Sequence, residues 1–154
     1  MPVFEGDKAP AFCLPSDNGQ SVTLDGFSGT KILLYFYPKD DTPGCTKQAI
    51  DFTARHEEFK QANTLVIGIS PDSPTRHGKF RAKHDLTVIL ASDEEKTTLA
   101  AYGVWVEKSM YGKTYMGVER SSFLIDIDGT IAKIWRKVKV PGHVETVLAA
   151  AKAL

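Results

Sequence analysis

The run Thr42-Pro43-Gly44-Cys45 sets a thiol in what its neighbours mark as the first turn of a helix. Threonine is a favoured N-cap type, and proline suits the first helical position because its missing N–H would have gone unpaired there. The free backbone N–H groups and the dipole at that end favour negative charge, so the position suits a thiolate, the nucleophilic form of cysteine. The chain has one other cysteine, Cys13. Two cysteines are too few for a disulfide-stapled scaffold and lack the paired spacing of a zinc site. If either matters, it matters as a reactive thiol; otherwise both are small buried hydrophobes.

The elements around Cys45 are legible as a βαβ unit. Residues 31–37 (KILLYFY) and 64–70 (TLVIGIS) are almost continuously apolar and β-prone, the pattern of strands buried on both faces. Between them Cys45, Ala49, Phe52, His56 and Phe59 recur at steps of four and three, one helical stripe ending near residues 61–63. The crossover should be right-handed and the strands parallel. Cys45 then lies beyond the carboxyl end of a strand, where open α/β sheets bind ligands.

Further along, Ser73-Pro74 opens a helix to His84, residues 87–91 form a short strand, and residues 97–102 form a short helix. Residues 121–127 and 130–135 flank Asp128-Gly129, a hairpin turn, and an Ala/Leu-rich helix follows Pro141-Gly142. Near the start, residues 12–14 and 21–24 enclose Asp17-Asn18-Gly19 as another hairpin. The order predicts an α/β fold: a mixed central sheet with helices on both faces and an N-terminal β-hairpin, in one domain spanning residues 1–154.

Nineteen Lys plus Arg balance nineteen Asp plus Glu, so no bulk charge recruits nucleic acid or an anionic membrane. No apolar run approaches the roughly 18 residues that span a bilayer, and the N-terminus lacks the basic start and long apolar stretch of a secretory signal. The expectation is a cytoplasmic protein acting on a small partner.

The spacing Pro38-x3-Thr42-x2-Cys45, within FYPKDDTPGCTKQA, resembles the active-site motif of peroxiredoxins, and most of all the PrxQ or bacterioferritin-comigratory branch. The segments GDKAPAFCLPSDNG, VIGISPDSP and YGVWVEKSMYGKTYMGVERSSFLIDIDGTI extend the resemblance over nearly the whole chain. It implies a thioredoxin-like fold and thiol-dependent reduction of hydrogen peroxide and organic hydroperoxides, without metal, flavin or haem. It also implies that Cys45 attacks the peroxide, that Thr42 hydrogen-bonds at the reacting centre, that Pro38 shapes and shields the pocket, and that Arg120 steadies the thiolate. Attack on an O–O bond needs an aligned thiolate and donors where charge develops on the leaving oxygen, which Thr42, Arg120 and the backbone N–H groups of Gly44 and Cys45 would supply.

One part is missing. Many PrxQ proteins carry a resolving cysteine five residues after the first, and here that position is Ile50. Another branch carries it in the following helix, and residues 73–84 contain no cysteine. The expectation is a one-cysteine cycle in which the sulfenic acid on Cys45 is reduced by an external thiol, thioredoxin or glutathione with glutaredoxin. The alternative is that Cys13 resolves Cys45 within or between chains; alternation turns Cys13 away from Phe12 and Leu14 and does not aim it at residue 45. A monomer is expected, with a dimer as the alternative.

Other readings are weaker. LIDIDGT matches an aspartate-based phosphatase signature, but 24 residues remain after Thr130, too few for the rest of such a domain. A disulfide reductase would want Cys-x-x-Cys. A thioredoxin-fold binding or holdase module is the non-enzymatic alternative. His56, His77, His84 and His143 lack metal-ligand spacing, and His56 on the apolar stripe is expected to be partly buried. The aromatic, Lys-rich residues 104–116 are expected to form a hairpin or a mobile loop.

Overall fold

The computed structural model describes residues 3–154; Met1 and Pro2, where the N-terminal reading began, lie outside them. The expected first hairpin is present: β1 (Cys13–Pro15) pairs antiparallel with β2 (Ser21–Thr23), with Leu14 turned inward and Cys13 exposed. The βαβ unit follows as β3 (Lys31–Phe36), α1 (Pro43–Ala54), α2 (His56–Gln61) and β4 (Thr64–Ser70). Then come α3 (Pro74–His84), β5 (Ile89–Ser92), α4 (Thr97–Ala101), β6 (Trp105–Met110), β7 (Lys113–Val118), β8 (Ser121–Ile125), β9 (Ile131–Trp135) and α5 (His143–Ala153).

The central sheet is mixed, in the order β5-β4-β3-β8-β9. β3, β4 and β5 run parallel, whereas β8 is antiparallel to both β3 and β9. Alternation along β3 feeds two cores. Ile32, Leu34 and Phe36 join Phe12, Leu14, Leu99, Tyr102 and Phe123 on one face. Leu33, Tyr35 and Tyr37 join Cys45, Ala49, Phe52, Phe59, Phe80 and Val147 on the other, so α1, α2, α3 and α5 share that side while α4 and the first hairpin cover the opposite one.

The structure corrects the reading of one long helix. At Arg55, with φ −105° and ψ 14°, the N–H bonds the Phe52 carbonyl, three residues back, and the chain restarts as α2. The guanidinium of Arg55 is held there by Glu58 and Glu145. Phe59 stays buried, but His56 turns to solvent and is exposed, contrary to its place on the stripe. Residues 105–118 form a separate two-stranded hairpin with Met110, Tyr111, Tyr115 and Met116 exposed on it. Asp128 sits in the turn before β9, its carboxylate accepting the Thr130 N–H, which is the hairpin role rather than the phosphatase one.

Tyr35 lies across β4 at Gly68, where an added Cβ would meet three of its ring and hydroxyl atoms at 2.7–2.9 Å. Tyr35 also stacks on Phe52 at 4.7 Å, so it has no room to yield. Gly68→Ala should therefore lower stability by about 1–3 kcal/mol, the usual cost of overpacking, read from the urea midpoint at unchanged slope.

Candidate active site

Topology brings Cys45 and Arg120 together. Cys45 follows the carboxyl end of β3, and β8 runs antiparallel beside β3 with Ser121 opposite Phe36. Arg120, the residue before β8, thus arrives at the same end of the sheet. Its Nη2 donates to Cys45 Sγ at 3.3 Å, and its Nη1 donates to Gln48 Oε1 at 2.6 Å. The guanidinium crosses Gly44 so closely that a Cβ there would lie 3.3 Å from Nη2, which explains a glycine between Pro43 and Cys45. The Val138 N–H bonds the Arg120 carbonyl, and Val140 flanks Gly44 from the loop before α5.

Thr42 is the N-cap residue by position, with φ −96° and ψ 155°, but its side chain does not cap. Its hydroxyl donates instead to the Lys39 carbonyl at 2.8 Å. The N–H groups of Gly44 and Cys45 are therefore left without a side-chain cap at the helix mouth, where Cys45 is 2% exposed. Pro38 lies two residues beyond the end of β3 and is half-buried.

Gln48 was not picked out from the sequence, although its place three residues after Cys45 on the buried face of α1 was a usable signal. It is fully buried, and its amide nitrogen has no partner among the described residues. The Tyr35 hydroxyl is likewise buried and without a partner among the described residues, and burial first, then the charges of Cys45 and Asp40, push its pKa well up. Cys13 and Cys45 belong to different sides of the sheet: Phe12 and Leu14, which flank Cys13, pack in one core and Cys45 in the other.

Comparisons with known proteins bear on this geometry. The AhpC/TSA family model matches residues 5–134. Peroxiredoxin Bcp of Bacillus subtilis is 49% identical over 148 residues, 96% of this chain and 94% of that one. This chain belongs to the peroxiredoxin family. A mutant of Xylella fastidiosa PrxQ superposes on this peroxiredoxin with a TM-score of 0.94 at 38% identity, covering 99% of this chain and 98% of that one. Xanthomonas campestris bacterioferritin comigratory protein, studied for alkyl peroxide reduction, gives a TM-score of 0.89 at 43% identity over 92% of this chain and 90% of that one. The fold of this peroxiredoxin is accordingly thioredoxin-like, and among its described residues no helix is long and apolar enough to cross a membrane.

Behind Arg120, His143 Nε2 lies 2.8 Å from Ser122 Oγ. Burial, and secondarily the Arg120 charge, bring the pKa of His143 down from 6.5 to about 4. A neutral imidazole adds no second cation beside Arg120. The unfolded chain takes up this proton as pH falls through 6.5 while the folded chain resists until about 4, so His143 contributes stability that is present above 6.5 and lost across that window. Denaturant titrations from pH 7 to 4 should show a loss on the order of 3 kcal/mol from this group, absent in a folded His143→Gln variant.

Proposed function

We propose that this peroxiredoxin reduces hydroperoxides through Cys45 and returns to its starting state by means of an external thiol. The Cys45 thiolate attacks one peroxide oxygen; the O–O bond breaks, an S–O bond forms, and the other oxygen leaves as an alkoxide or hydroxide that takes up a proton. Arg120 holds the thiolate and, with the N–H groups of Gly44 and Cys45 and the Thr42 hydroxyl once it turns from the Lys39 carbonyl, faces the charge that develops on the leaving oxygen. Pro38 walls the entrance. Gln48 keeps the guanidinium in place, acting on the sulfur through Arg120. The observation that carries this reading is the 3.3 Å approach of Arg120 Nη2 to Cys45 Sγ at an uncapped helix N-terminus.

The product is a sulfenic acid. One external thiol condenses with it, releasing water and forming a mixed disulfide, and a second thiol reduces that disulfide to restore Cys45. Ile50 occupies the position of the usual resolving cysteine, on the exposed side of α1. Cys13 lies on a strand packed against the opposite face of the sheet, which favours a cycle without it. The reductant would be thioredoxin or glutathione with glutaredoxin, the acting form a monomer of one domain, residues 1–154, and the setting cytoplasmic.

Peroxide consumption with dithiothreitol tests both parts. Cys45→Ser should abolish turnover, and Arg120→Met should lower it about 100-fold, the usual cost of one donor at developing charge. Cys13→Ser should leave the rate unchanged, and peroxide-treated wild type should remain free of a Cys13–Cys45 disulfide on a non-reducing gel. A quantitative disulfide, within or between chains, would remove the one-cysteine cycle while leaving the peroxidase reading intact.

A further inference from the structure

The six residues from Tyr37 to Thr42 join β3 to α1, and a buried polar cluster from β4 and α3 grips their midpoint. Asp40 is 3% exposed and His77 fully buried. His77 Nδ1 lies 2.6 Å from Asp40 Oδ2, and the Tyr37 hydroxyl donates to Asp40 Oδ1 at 2.6 Å. The Asp40 backbone N–H donates to Asp72 Oδ2 at 2.7 Å, which also accepts from Ser70, while Arg76 pairs with Asp72 Oδ1. His77 Nε2 faces the Ala91 carbonyl at 3.1 Å. A carbonyl only accepts, so Nε2 carries a proton; the contact between Nδ1 and a carboxylate oxygen then requires a second one between them. Asp40, Asp72 and His77 are close enough together to suggest a metal site, but every nitrogen and carboxylate oxygen of the three already has a protein partner.

The next residue, Asp41, has φ +60°, a left-handed conformation that an aspartate adopts at a cost and that persists where its surroundings over-determine it. Lys83 and His84 of α3 both hold its carboxylate, at 2.8 and 3.0 Å. Thr42 follows directly. α3 thus fixes two successive residues ahead of Thr42, one through a buried shared proton and one through the surface contacts of Lys83 and His84. We propose that the Asp40–His77 contact is a positioning device for peroxide reduction: it locks the loop so that Thr42 meets the peroxide bound at Cys45. The inference rests on the reading that Thr42 acts at the reacting centre.

The test uses a Cys13→Ser background, so that one thiol reacts, and compares two second-order rates: Cys45 with hydrogen peroxide and Cys45 with iodoacetamide, which needs the thiolate but not the aligned loop. Asp40→Leu and His77→Leu should slow the peroxide reaction by about tenfold or more while changing alkylation by less than about threefold. Asp40→Asn, whose amide can accept from Tyr37 and donate to a neutral His77 ring, should recover most of the peroxide rate. Parallel loss of both rates in the leucine variants, or an asparagine variant as slow as leucine, overturns the proposal. Thr42→Val separates it from the reading beneath: if that variant is fully active, both fall, whereas a slow Thr42→Val beside a fast Asp40→Leu overturns the positioning role alone. Should the leucine variants fail to fold, proton NMR of wild type with labelled histidine decides. A slowly exchanging, strongly downfield proton at His77 Nδ1 supports the contact, and its absence overturns it.

Discussion

A guanidinium set 3.3 Å from a nearly buried sulfur is the contact on which the rest of the structure converges. Arg120 is half-buried, and a charge so placed is favoured when its donors are engaged. Gln48 takes one arm and Cys45 the other, while Gly44 leaves the space between them. The groups behind Arg120 are kept uncharged: His143 is neutral against Ser122, and Tyr35 keeps its phenol proton. The positive charge is therefore directed at the thiol.

The mixed sheet follows from the same need. A purely parallel arrangement would bring the start of each strand to the end opposite Cys45. By running β8 antiparallel against β3, with Phe36 opposite Ser121, the fold delivers a residue that precedes one strand to a thiol that follows another. The parallel β3–β4 pair leaves room at that end for the Tyr37–Thr42 loop; just past the end of β4, Asp72 accepts the Asp40 N–H of the loop and is itself held by the Ser70 hydroxyl.

What the sequence disclosed was mostly local or strongly periodic. The continuous apolar runs KILLYFY and TLVIGIS, Thr-Pro at a helix start and Asp-Gly between β8 and β9 are short-range signals, and each appears where expected. The Thr42 cap was half right: the backbone position holds, but the hydroxyl turns to Lys39, a choice made by the loop's own shape. At the break Arg55 pairs with Glu58 and also with Glu145, ninety residues away, a contact across the fold that the stripe placing His56 inside does not encode. Asp40–His77 and Gln48–Arg120 are likewise pairings across the fold, 37 and 72 residues apart, which no local pattern specifies. Peroxiredoxin resemblance located Arg120 because family knowledge supplies long-range contacts that periodicity lacks.

The packing of α1 bears on how such a site is reset. Cys45, Gln48, Ala49 and Phe52 form its buried face, with Phe52 stacked on Tyr35, whereas Ile50 is 42% exposed. Five residues advance a helix by roughly 7.5 Å and turn it by about 140°, so a thiol at position 50 would point away from the sulfur as well as lie too far from it. Joining the two would mean unwinding the first turns and withdrawing Gln48 and Phe52 from the core. Burial of one such aromatic side chain is worth about 1.5–3 kcal/mol, and the Arg120 contacts would be lost with it. Reduction by an outside thiol, as proposed, would not require Gln48 and Phe52 to leave the core. Isoleucine at 50 is thus compatible with a helix that stays folded through the cycle, and the clamp from α3 on the preceding loop acts in the same direction.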